Sequence, residues 1–187
     1  RSVHNYRLHL DTRDPGLSRT LFLFGKREID HYLMLQSTLK PGMNILDIGA
    51  NIGYYAIMES MAIGPSGKVV AVEPVNSNIK MLNRNIDLNN IQNIDVLHGA
   101  VSSHTGTAKM FMSTRSNLHT FHSDGSAANY LDPTPVDVPT FTLKDVIAVN
   151  TWPDLIRMDV EGHEVEILRQ LGDLADSDGV YPSVIFE

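Results

Sequence analysis

Five short apolar runs rich in Val, Ile or Leu recur between Asn44 and Glu187, and longer stretches of helical spacing separate them. Alternation of this kind predicts βα units built around a parallel sheet. The predicted strands cover 44–48, 68–73, 94–98, 155–159 and 183–187. The predicted helices are 52–63, opening after a glycine turn; 76–89, with Ile79, Leu82, Ile86 and Leu88 near helical spacing; and 164–174, with Val165, Ile167, Leu168 and Leu171. Ahead of them, "REIDHYLMLQSTL" reads as an amphipathic helix stopped by Pro41 and Gly42, packing as a lid or flank. The expected organisation is a flanking segment over 1–40 and one α/β domain over 41–187.

Between Ser102 and Thr142 the alternation weakens. "SSHTG" reads as a turn and "TAKMFMS" as a short strand, followed by the polar stretch "NLHTFHSDGSAANYLDPTP". A loop of that length in a compact domain is usually a functional lid or binding loop, or poorly ordered.

With 187 residues, 42% of them hydrophobic, the chain can bury one sizeable core. A formal charge of -7 without a dense Lys/Arg run argues against a nucleic-acid partner. The absence of cysteine excludes disulfides, thiolate nucleophiles and Cys-based metal sites. No apolar run approaches the roughly 18 residues needed to span a bilayer, and no signal pattern opens the chain, so a soluble, cytoplasmic protein is expected. The chain starts at Arg1 and stops inside "PSVIFE", which reads as trimming at both ends.

The glycines of "NILDIGANIGYYAI" fall where the first predicted strand turns into a helix, the place at which a parallel βα sheet builds its ligand crevice. Gly49 and Gly53 permit backbone geometry or close approach that a Cβ forbids, and the helix start presents free N–H groups. A dinucleotide fold reads G-x-G-x-x-G; here the pattern is D-x-G-A-N-x-G, with Asp47 two residues before the first glycine. An acid there repels a diphosphate and favours a cationic ligand. Glu73 closes the next strand, 26 residues after Asp47, where a carboxylate accepts hydrogen bonds from ribose hydroxyls. A ligand with a ribose, a positive centre and no diphosphate is S-adenosylmethionine. On the competing reading, Asp47 and Glu73 cap turns and the glycines only tighten them.

The motifs "DIGANIGYY", "GKVVAVEP", "NRNIDLNN", "GAVSSHTG" and "IRMDVEGHEVEIL" together resemble the FkbM family of S-adenosylmethionine-dependent methyltransferases over roughly 28–187. The resemblance implies a Rossmann-like class I methyltransferase fold with a mostly parallel sheet and flanking helices, the last strands missing from this chain. It implies O-methylation of a sugar or polyketide hydroxyl. It also implies that Asp47, Gly49, Asn51 and Gly53 surround the methionine part, that Glu73 holds the ribose, and that Gly99 and Ala100 lie beside the adenine, recognised there by backbone groups.

"RMDVEGHE" follows a predicted strand and opens a helix, so Asp159, Glu161 and His163 should converge on the same crevice, Asp159 counting with the cofactor-binding set as well. Methyl transfer to a hydroxyl needs a base beside the attacking oxygen, and His163 is the natural candidate. The alternative makes the two acids helix-start carboxylates and His163 an ordinary first-turn residue. A divalent metal such as Mg²⁺ on the acids is a rival not favoured, so no metal ligands are assigned. Tyr54 counts with the cofactor-binding set; either tyrosine, Tyr54 or Tyr55, stacks on cofactor or fills the core, and core packing suits Tyr55 at least as well. His98, His104, His119 and His122 read as surface or loop residues.

The expected function is thus methyl transfer from S-adenosylmethionine to a small-molecule or glycan acceptor. The competing classes are a nicotinamide-dependent oxidoreductase on the same sheet and a cofactor-binding module without chemistry.

Overall fold

A computed structural model describes residues 1–114, 119–121, 130–160 and 162–186, the side chains of 177 and 178 excepted. Its centre is a five-stranded, all-parallel sheet of β3 (Asn44–Ile48), β4 (Lys68–Glu73), β5 (Ile94–His98), β9 (Leu155–Met158) and β10 (Ser183–Phe186), in the order β10-β9-β3-β4-β5. These are the five predicted strands. The first three match residue for residue, Asp159 falls just past β9, and Glu187 lies outside the described residues.

Side-chain alternation sorts the sheet into two faces. Ile45, Val69, Ala71 and Leu155 pack with α3 (Tyr54–Ile63) and with Leu82 of α4 (Asn76–Leu88). Leu46, Ile48, Val70, Val72, Ile156 and Met158 pack with α5 (Leu143–Ala148) and with Ile167 and Leu171 of α6 (Glu164–Asp178). Because β3 is flanked by β4 and β9, its carboxyl end is the middle of the sheet's ligand-facing rim.

The amino-terminal segment contributes to the main core. It forms a hairpin of β1 (Ser2–Val3) and β2 (Tyr6–Arg7), then α1 (Leu17–Phe24) and α2 (Ile29–Thr38). Val3, Tyr6, Leu8, Leu17, Leu21 and Leu35 are buried in the cluster on the α3 face. Of the predicted amphipathic helix only Leu35 is buried, while Ile29, Leu33 and Met34 face outward. Two asparagines of α4 and its end fasten the segment: His9 N–H donates to Asn85 Oδ1 (2.6 Å), Asn85 Nδ2 donates to Ile52 O (2.8 Å), and Arg7 N–H donates to Asn89 Oδ1 (3.0 Å).

After β5 the chain enters a second sheet, β6 (Ala100–Val101), β7 (Gly106–Met110) and β8 (Val136–Phe141), in the order β6-β8-β7. The strand expected within "TAKMFMS" is β7. β8 and α5 were not foreseen. Pro139 argues against a strand on sequence grounds, yet β6 pairs only with Thr140 and Phe141, so Pro139 has a strand partner on one side alone. α5 is only six residues, started by Thr142, whose hydroxyl accepts from Asp145 N–H. No helix among the described residues is long and apolar enough to cross a membrane.

Candidate active site

The carboxyl ends of β3, β4 and β9, with the start of β6, enclose a cleft of about 590 Å³ including its open mouth. Gly49, Glu73, Gly99, Ala100, Asp159 and His163 all lie in its wall, so residues from four separated motifs meet there. Asn51 joins them. Glu161 lies outside the described residues.

Gly49 has φ +84°, and a Cβ there would overlap the carbonyl oxygen of Asp159. The β3–α3 turn and the end of β9 can touch only because this residue lacks a side chain. Gly99 plays a comparable part, since its Cβ would stand 2.5 Å from the Phe141 ring of β8. Gly53 also has positive φ (+89°), but it is absent from the cleft wall; a Cβ there would press on Leu82 of α4 at 2.6 Å. Helix packing, not close approach of a ligand, is what the structure shows Gly53 serving.

Glu73 is 3% exposed at the cleft edge and accepts three hydrogen bonds. Asn51 N–H donates to Oε2 (2.8 Å); Val75 N–H (2.9 Å) and Asn78 Nδ2 (3.1 Å) donate to Oε1. Burial pushes this carboxyl up to about 7 although all three bonds favour the ionised form. A carboxylate offers about four lone-pair directions, so roughly one remains, on Oε2, for an incoming hydroxyl. The expected pair of ribose contacts is thereby reduced to one on this carboxylate.

Asp47 does not face the cleft. Period-two alternation turns it toward α3, where it is fully buried and its Oδ1 accepts from Arg157 Nη1 (3.1 Å) across the β3–β9 pair. The same guanidinium donates through Nη2 to Asp159 (3.1 Å) and lies over the Tyr55 ring, 4.3 Å from its centroid. The nearby Glu59 of α3 is fully buried with no hydrogen-bond partner for either oxygen among the described residues. Burial raises its carboxyl well above the usual range, helped by the charge of Asp47. Burial opposes the charge on Arg157, but its carboxylate neighbours, Asp47 first and then Asp159, outweigh it and raise its pKa. The charge of Asp47 is thus answered inside the protein, in place of the cationic ligand expected to meet it.

Tyr54 is also off this cleft. Its hydroxyl donates to Arg27 O (3.0 Å) and lies 3.2 Å from His4 Nε2, and its ring stands edge-on to Tyr55 at 4.6 Å. Tyr55 donates to Glu28 Oε2 (2.8 Å), and Glu28 is ion-paired to Arg27. Both tyrosines line a smaller neighbouring recess that shares Gly49, Asn51 and Asp159 with the main cleft.

The long loop supplies a residue that had been set aside. His119 stands in the cleft wall, and Ser113 N–H donates to its Nδ1 (2.9 Å), which fixes the proton on Nε2. Burial lowers its pKa to about 4, so it is neutral under physiological conditions. Phe121 completes that wall, its ring 5.1 Å from that of His163. His122 lies outside the described residues. Among the described residues no group of three or more His, Cys, Asp or Glu could hold a metal ion.

A family model described as the methyltransferase FkbM domain matches residues 47–187. The chain belongs to the FkbM methyltransferase family. The matched span contains all five strands of the parallel sheet except the first three residues of β3. This FkbM domain is 33% identical over 61 residues to a protein-L-isoaspartate O-methyltransferase of Methanothrix thermoacetophila, covering 33% of the chain and 29% of that relative's length. The chain thus spans less than a third of the curated relative it matches. Among solved structures it is similar to the precorrin 8W decarboxylase encoded by MT0146 of Methanobacterium thermoautotrophicum, with TM-score 0.51, 12% identity, and 89% and 62% of the two chains covered; that likeness concerns the fold alone. A SAM-dependent methyltransferase from Aquifex aeolicus is 26% identical, with TM-score 0.37 and coverage of 50% and 47%.

Proposed function

We propose that this FkbM domain transfers a methyl group from S-adenosylmethionine to a hydroxyl oxygen of a small molecule or glycan. The observation that carries the reading is the meeting, in one cleft, of an acceptor-rich carboxylate at the end of β4, a side-chain-free turn at the end of β3 and an imidazole at the start of α6. The residues fit that cofactor. Glu73 has one lone-pair direction open toward a ribose hydroxyl, Gly49 and Gly99 let the turn after β3 and the start of β6 close against Asp159 and Phe141 to form the wall, and Pro74, Val101 and Met110 give the wall beyond Glu73 an apolar surface.

When bound, S-adenosylmethionine supplies an electrophilic methyl on a sulfonium. His163, in the cleft wall at the N-terminal end of α6, is placed to take the proton of the acceptor hydroxyl as its oxygen attacks. Asp159 is held by Arg157 as an ion pair and therefore serves as a fixed negative charge beside the reacting centre rather than as the base. Neutral His119 presents an N–H donor, suited to an acceptor oxygen or a ring nitrogen. Phe121 and Met110 keep water from that side of the cleft.

Calorimetric titration with S-adenosylhomocysteine and, separately, NAD tests the proposal. Binding of the former without the latter is expected. NAD binding with no S-adenosylhomocysteine binding replaces methyl transfer with hydride transfer, and cofactor binding with no transfer to any hydroxylated acceptor reduces the domain to a binding module.

A further inference from the structure

The formal charge of the chain is unevenly placed. Residues 1–27 carry six Lys and Arg against two Asp, a formal +4 within a total of -7, so the remainder carries -11. Both acids of that segment are occupied internally. Asp11 holds Arg13 through two of its nitrogens, at 3.0 and 2.9 Å, and Asp14 accepts from Gly16 N–H (2.8 Å) and Ser18 N–H (2.9 Å) at the start of α1. Arg19 and Lys26 form no ion pair among the described residues.

These two cations flank the most exposed apolar side chains of the segment. Phe22, Leu23 and Phe24, consecutive on α1, are 52%, 56% and 68% exposed, because the helix buries only Leu17, Ser18 and Leu21. Arg13, Pro15, Arg19, Phe22 and Leu23 line one shallow groove of about 570 Å³ including its open mouth. Apolar side chains and guanidinium groups lining one groove match an anionic amphiphile: acyl chain against Phe and Leu, phosphate against Arg.

We infer that α1 and the groove beside it dock the protein on an anionic phospholipid surface, with Phe22, Leu23 and Phe24 entering the headgroup region and Arg19 and Lys26 meeting lipid phosphates. Arg19 and Lys26, beside the exposed Phe22, Leu23 and Phe24, favour this occupant over a neutral apolar partner, and the acidic remainder of the molecule is repelled by the same surface. α1 precedes Arg27 and carries Leu17, both of which line the recess beside the main cleft, so docking holds that side of the molecule near the lipid.

Flotation of the full chain with phosphatidylcholine vesicles, with and without a quarter phosphatidylglycerol, decides it. Co-flotation with the phosphatidylglycerol vesicles at 0.1 M salt, little with phosphatidylcholine alone, is expected. R19E/K26E should weaken it by about thirtyfold or more, and F22S/F24S at least tenfold. None of these exposed side chains touches the main cleft, so S-adenosylhomocysteine affinity should stay at the wild-type value and serves as the check on folding. No binding to the anionic vesicles overturns the inference. So does binding that survives F22S/F24S unchanged, which would make the groove a plain anion site. A concentration-dependent dimer in sedimentation that the same substitutions dissolve would instead assign the surface to a second copy of the chain.

Discussion

Removing the guanidinium of Arg157 leaves Asp47 fully buried with no counter-charge and frees Asp159 at the cleft. Arg157→Met should therefore cost about 3–5 kcal/mol, on the order of 10 °C in Tm, and Asp47→Asn in that background should return part of it. A calorimetric double-mutant cycle reads the coupling; additive losses would show that the pair is not one unit. Glu73 has the opposite character, a carboxyl that burial moves from 4.5 up to about 7. The folded state binds its proton more tightly than the unfolded one, so this contribution to stability is present below pH 4.5 and lost as pH rises to about 7. Asp47 and Glu59 are shifted in the same direction, so Glu73→Gln should make the decline of Tm across that window shallower without abolishing it. Glu73→Ala is the poorer probe, because it strands three donors, among them Asn51 N–H in the glycine turn. His163→Ala should lower turnover by roughly 10²–10⁴-fold at unchanged S-adenosylhomocysteine affinity, with a chelator of no effect on the wild-type rate. Wild-type turnover in that variant would remove the imidazole from the chemistry.

At the scale of elements, the turn between β3 and α3 depends on the end of β9. Gly49→Val places a branched side chain on the Asp159 carbonyl at a φ that side chains rarely adopt, and should abolish cofactor binding even where the variant remains folded by circular dichroism. A folded variant that binds normally would separate the turn from the site. The five core strands were legible because each is a short apolar run between turn signals, and α4 and α6 because their apolar positions recur at helical spacing, whereas α1 and α5 were not read. The ion pair at the centre was not read, because Asp47 was set against a cationic ligand and the one charge inside "LIRM", Arg157, was given no role, although opposite charges on adjacent strands answer one another. Which face each charge takes was not legible, since it depends on register between strands 110 residues apart. His119 was missed for a related reason. Nothing near it in sequence marks it, and the hydrogen bond from Ser113 N–H that fixes its ring is visible only in the structure.

Across the whole molecule, Asn85 ties the amino-terminal segment at His9 to α4 and to the turn before α3 at Ile52. Asn85→Ala should loosen residues 1–10, which limited proteolysis would read as early cleavage there, with a stability loss of about 1–3 kcal/mol. The central claim is that the cleft binds S-adenosylmethionine through the Glu73 carboxylate. Its most direct test is the affinity for S-adenosylhomocysteine, measured by calorimetry from pH 5.5 to 7.5 in the wild type and in Glu73→Gln. Only the ionised carboxylate accepts the ribose hydroxyl at full strength, so the wild type should bind more tightly as pH rises through about 7, by tenfold or more over the range. The Gln variant should bind weakly and without that rise. A wild-type affinity flat in pH, or a Gln variant that binds as tightly as the wild type, would contradict the account.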